Sequence, residues 1–142
     1  MSNVSLTREE FVDFVRTAQL GVVSTVDRDN RPEAAIMEIA ALGDGELLFV
    51  AKTEARKVAN LFHNPRAAIV VGWSPVSLQI EGEAELLMGI EREALGALYA
   101  EQFPERPALT EAFALYRVRP DWLRYCEARP GLPPIISEGL WL

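Results

Sequence analysis

The chain has 142 residues, 49% of them hydrophobic, and a formal net charge of −7. That length predicts one domain over residues 1–142, long enough to bury a core. The acidic balance excludes duplex DNA and anionic membrane as main partners, because both require a basic surface. One cysteine, Cys126, excludes an intrachain disulfide and a cysteine-rich metal site. No apolar run approaches the ~18 residues of a membrane span. No basic segment followed by an apolar stretch opens the sequence, so a cytoplasmic protein is the expectation.

Thr7, Arg8, Glu9 and Glu10 form a capping box, with Thr7 at the N-cap and Glu10 three positions on. The helix that follows turns Phe11, Phe14, Val15 and Ala18 to the core. Residues 20–26 are β-branched and predict a strand, and residues 27–30 are turn chemistry. Residues 32–41 predict a second strand, with Ala35, Met37 and Ile39 on one face and Ala34, Ile36, Glu38 and Ala40 on the other. Gly43, Asp44 and Gly45 close the next hairpin, and the apolar run over residues 47–51 is a third strand.

The stretch after it carries the chief functional signal. Ala55, Val58, Ala59 and Phe62 recur at helical spacing and predict the buried face of a helix. Thr53 is the expected N-cap, and Asn64 and Pro65 stop the helix. Arg56 and Lys57 then fall in the first turn, where a cation costs about 0.3–1 kcal/mol against the helix dipole. A bound anion reverses that sign, with backbone N–H groups and two cations converging on it. The alternative at this level is a helix surface on which Glu54 pairs with its neighbours. On the anion reading, replacing Arg56 and Lys57 weakens the ligand and spares the fold, since neither lies on the predicted apolar face.

Residues 67–73 are nearly all apolar and predict a strand buried on both faces. Ser77 to Met88 alternates, with Leu78, Ile80, Gly82, Ala84 and Leu86 opposite Gln79, Glu81, Glu83 and Glu85. The acidic row reads as a solvated sheet edge rather than a metal site. Residues 91–102 are helical, residues 113–118 and 123–126 extended, and the tail over residues 129–142 irregular, with Trp141 a lid or a contact between subunits. Hairpins dominate, which points to an antiparallel barrel with helices packed outside.

No nucleotide-binding glycine loop and no metalloprotease motif is present. His63, the single histidine, falls in the last turn of a helix, where a capping or solvent-facing role is expected. Cys126 sits among Trp122, Leu123 and Tyr125, a setting for a structural thiol. With no evident acid, base or nucleophile, enzymatic chemistry would have to come from a bound cofactor.

Several stretches together resemble a known family: residues 21–27, Asn30-Arg31-Pro32, residues 44–49, residues 55–61, residues 64–68 and residues 80–85. In order and spacing they are similar to the FMN-binding split β-barrel proteins related to pyridoxamine 5′-phosphate oxidase, over roughly residues 7 to 126. The resemblance implies a six-stranded antiparallel split barrel of Greek-key type with peripheral helices, and a homodimer holding FMN at the subunit interface. It gives the phosphate to Arg56 and Lys57, and sets the ring along the backbone of Ala35, Ile36 and Met37. Val50 and Ala51 line the cofactor, and Ser77 or Gln79 reaches the partner's flavin. It implies an oxidoreductase-like protein passing hydride or electrons to an unidentified small molecule. The chain departs from the family at Val50, Ala51 and Ala55, where hydroxyl-bearing residues are usual. The basic C-terminal extension of the vitamin B6 oxidases has no match, so that reaction is not expected. Alternatives are a deazaflavin or haem relative, or a cofactor-free dimer acting as a stress or binding protein.

Overall fold

The structure is a computed structural model that describes residues 4–141. Along the chain run α1 (Arg8–Ala18), β1 (Leu20–Val26), β2 (Pro32–Glu38), β3 (Ala40–Ala41), β4 (Leu47–Lys52) and α2 (Arg56–His63). Then follow β5 (Arg66–Val71), β6 (Val76–Leu86), α3 (Gly89–Gln102), β7 (Phe113–Arg129) and β8 (Leu132–Leu140). All pairings are antiparallel, in the order β2-β1-β5-β6-β7-β4-β3, with β8 on the remaining edge of β7. The sheet curls without closing, which is the split-barrel architecture.

Among the described residues eight strands stand where six were expected. The second strand breaks at Ile39, whose backbone N–H turns to the carbonyl of Gln19 at 2.8 Å, and so divides into β2 and β3. The two final extended segments form one strand, β7, whose pairing with β6 shifts register at Glu81 and Gly82. The tail is not irregular. Its residues pair with β7 from Trp122↔Leu140 to Arg129↔Leu132, a long-range pairing that local composition, with Pro133 and Pro134, does not announce. Trp141 is 3% exposed and packs against Phe11 at 5.4 Å between ring centroids. It is a core residue and not a lid.

Thr7 caps α1 as its sequence dictates: its hydroxyl accepts from the N–H of Glu10, whose carboxylate accepts from the N–H of Thr7. Phe11, Val12 and Val15 of α1 close one end of the barrel core, which holds Val23, Phe49, Ile69, Leu78, Ile80 and Leu123. A second cluster, including Ala40, Leu48, Tyr99, Phe103 and Leu115, fixes α3 against β4 and β7.

β5 is buried on one face only: Ala67, Ile69 and Val71 point inward, while Ala68 and Val70 point out. β6 lies between β5 and β7, so its acidic row is not at an edge. Glu81 faces Arg66 at 4.0 Å, and Glu85 accepts from Arg117 at 2.6 Å.

Candidate functional site

α2 begins two residues later than the sequence suggests. Ala55 is its N-cap and offers no side-chain hydrogen bond. Thr53, the expected cap, spends its hydroxyl on the carbonyl of Ala112 at 3.3 Å, and its N–H donates there too. The pairing of β4 with β7 through Lys52↔Phe113 carries Thr53 toward that neighbour and away from α2. Among the described residues no side chain caps the first-turn amides, of which Val58 donates to the Ala55 carbonyl at 3.0 Å, and Arg56 beside them is exposed. That donor set fits a phosphate group: backbone N–H groups, the positive helix end and a guanidinium.

Lys57 differs from expectation. The buried stripe of α2 is Lys57, Asn60 and Leu61, rotated from the predicted face, and Phe62 is 86% exposed. Val58 is half-buried and packs on the core edge. The Lys57 side chain is 8% exposed, and its ammonium lies 3.7 Å from a Glu33 carboxylate oxygen. Thr25 donates to the other Glu33 oxygen at 3.1 Å and accepts from the Asn60 amide at 3.0 Å. Lys57 therefore lies on the buried face of α2 and not off it, and its replacement is expected to cost stability as well as charge.

Thr25, Glu33 and Asn60 escaped the sequence reading. The hairpin register supplies a signal for two of them: from a turn with Val26 opposite Pro32, the next pair is Thr25↔Glu33. Asn30 adopts φ 61° in that turn, a conformation Asn tolerates. Asp27 is nearby, and its carboxyl is held below the usual range by the backbone N–H of Arg31 and, as a smaller cause, by the charge of Arg56.

The other expected site residues divide between faces. Ala35 and Met37 are half-buried on the barrel side of β2, and Ile36 points outward at 71% exposure. Ala51 faces the core, while its neighbour Val50 packs against the α3 cluster. Val50 lines a cleft of about 180 Å³ with Glu38, Tyr99, Arg106 and Phe113. There the Tyr99 hydroxyl donates to Glu38 at 3.2 Å, and Arg106 donates to the same carboxylate at 2.8 Å. Gln79 is exposed and Ser77 half-buried on β6.

Cross-strand register places Ile36, Val22, Val70, Gln79 and Arg124 in one outward row over β2, β1, β5, β6 and β7. Ile36 and Gln79 share this face, about 14 Å apart by three strand spacings. Neither lies on the face where Lys57 and Glu33 meet, so one chain does not gather all of the expected residues around a single point.

His63 is exposed, and its Nε2 accepts from Arg28 Nε at 2.6 Å. Among the described residues no group of three or more His, Cys, Asp or Glu could hold a metal ion, and no helix is long and apolar enough to cross a membrane.

Comparison with known proteins agrees with this architecture. A pyridoxine/pyridoxamine 5'-phosphate oxidase of Cupriavidus metallidurans is 27% identical over 141 residues, covering 77% of this chain and 66% of that protein. The chain thus spans just under two thirds of that relative's length. A heme binding protein from Mycobacterium smegmatis superposes with a TM-score of 0.77 at 19% identity, over 96% of this chain and 59% of the other. A pyridoxamine 5'-phosphate oxidase-related, FMN binding protein from Nostoc punctiforme superposes with a TM-score of 0.68 at 17% identity, over 93% of each chain. Those two likenesses show the fold. Residues 7–127 match the family described as pyridoxamine 5'-phosphate oxidase. A match that runs from the capping box at Thr7 to Glu127 takes in the sheet except β8 and the last two residues of β7, and the chain belongs to the pyridoxamine 5'-phosphate oxidase family.

Proposed function

We propose that this chain is a cytoplasmic, FMN-binding, oxidoreductase-like protein that works as a homodimer. The observation that carries the reading is the uncapped start of α2, with Arg56 beside it, inside the family match. Arg56 and the first-turn amides hold the flavin phosphate, and Lys57 adds its charge from below. The backbone of Ala35, Ile36 and Met37 runs along the ring, with Val50 and Ala51 at its border. Ser77 or Gln79, on the outward sheet face, serves the ligand of the partner subunit. Their separation from α2 within one chain supports that division between subunits. Bound FMN would supply hydride or electron transfer to a small-molecule substrate. The protein's own part is orientation, exclusion of water and hydrogen bonding to the ring.

The test is the visible absorption spectrum of the purified protein, before and after addition of FMN and desalting. Retained flavin bands are the expected result, with Arg56→Ala lowering FMN affinity and leaving riboflavin affinity unchanged. A colourless protein that does not take up FMN overturns the cofactor assignment.

A further inference from the structure

The Arg56-Lys57 pair is not an uncommitted pair of cations. β2 brings a carboxylate to Lys57: Glu33 lies 3.7 Å from its ammonium. Glu33 is held in place from behind. The Asn60 amide donates to Thr25, and Thr25 donates its hydroxyl proton to Glu33. Thr25 and Asn60 are 2% and 5% exposed, so this chain of donors has a fixed direction and ends on the carboxylate. At 3.7 Å the Lys57–Glu33 contact is an ion pair beyond hydrogen-bond reach. The charge of Lys57 is balanced, while its N–H donors remain uncommitted to Glu33.

We propose that Glu33 is a resident counter-anion of Lys57 and sets how much negative charge a ligand at the start of α2 can carry. The proposal rests on the reading of that helix start as a ligand site. A phosphate monoester arriving there has to share Lys57 with a fixed carboxylate, and the two anions repel each other. The site therefore favours a phosphate-bearing ligand over its phosphate-free analogue by less than two unopposed cations would. Glu33 is a specificity-determining residue, and the discrimination it suppresses reappears when its charge is removed.

The experiment uses the full chain, Glu33→Gln, and the double variant Glu33→Gln with Lys57→Met. Glutamine keeps an oxygen to accept the Thr25 hydroxyl and removes the charge. Inorganic phosphate is titrated while Tm is followed, and FMN and riboflavin are titrated by quenching of flavin fluorescence. The expected result is a larger phosphate-induced rise of Tm in Glu33→Gln and FMN binding tighter by about tenfold, with riboflavin unchanged. The double variant should lose both gains. An unchanged phosphate response and an unchanged FMN-to-riboflavin ratio in Glu33→Gln overturn the proposal, as does a gain that survives in the double variant. Should no variant bind flavin while the phosphate response still grows, the cofactor reading fails and the counter-anion role stands. If Glu33→Gln is unfolded in plain buffer, refolding by phosphate supports the role. A folded double variant beside a single variant that phosphate does not refold sinks it.

Discussion

The side-chain amide of Asn60 donates to the Thr25 hydroxyl at 3.0 Å, with both groups buried, and so ties α2 to β1. Thr25→Val keeps the shape and removes the hydroxyl. It leaves the Asn60 amide without its acceptor and Glu33 without its donor, a loss of about 1–3 kcal/mol. The urea midpoint should fall, and adding Asn60→Leu should recover part of the loss because the two residues are coupled. A midpoint equal to wild type in Thr25→Val would show that the pair contributes nothing.

Val70 stands 40% exposed in the centre of the outward row, between Val22 at 37% and Gln79, with Ile36 beyond. On the homodimer reading this face is covered by a second copy. Val70→Lys should raise the dimer dissociation constant roughly 100-fold, as expected for a central contact worth about 2–3 kcal/mol. Sedimentation of wild type and variant checks it, with far-UV circular dichroism as the control for folding. A variant that sediments like wild type places the interface elsewhere.

Gly82 sits at the register shift between β6 and β7, and a methyl group there would lie 2.3 Å from the carbonyl oxygen of Arg119. The obstacle is backbone and cannot swing aside. Gly82→Ala should therefore cost about 1–3 kcal/mol, the usual range for overpacking. Thermal unfolding measures the loss. Equal stability would mean that the irregular stretch shifts freely.

The three tyrosines all ionise late. Burial, and then the Glu38 charge, push Tyr99 up; burial pushes Tyr116 up; a hydrogen bond to Glu127 first, then burial, pushes Tyr125 up to about 12. Each folded value lies above the ordinary phenol pKa near 10, so in that window the folded chain holds more protons than the unfolded one. The stability these groups contribute is complete below about pH 10 and is lost as pH rises through the folded values. Absorbance at the phenolate band should rise at higher pH in buffer than in denaturant. Coincident titrations would contradict the burial of Tyr99 and Tyr116.

Local signals in the sequence were easy to read where one element settles its own geometry. The capping box at Thr7 needs only four residues, and the alternation of β6 states its inner face. Legibility failed where a distant element decides. Thr53 has the chemistry of an N-cap, yet the carbonyl of Ala112 claims its hydroxyl. Apolar spacing put Phe62 inside, but the polar pair Asn60 and Thr25 fixes the rotation of α2 and leaves Phe62 outside. A lysine among apolar residues gives no hint of burial until the hairpin register brings Glu33 beneath it. The Arg56-Lys57 pair was legible as chemistry, while the balance of its charge was legible only in three dimensions.

β8 begins Leu132, Pro133, Pro134, and among the described residues it pairs with β7 alone. Backbone N–H groups alternate between the two sides of a strand, so one of the two prolines removes a donor from the outer ladder, which makes this strand a poorer template for a further strand. This edge of the open sheet is thus blunted chemically. Edge-to-edge growth into fibres is disfavoured at this strand, and on the homodimer reading association falls to the sheet faces.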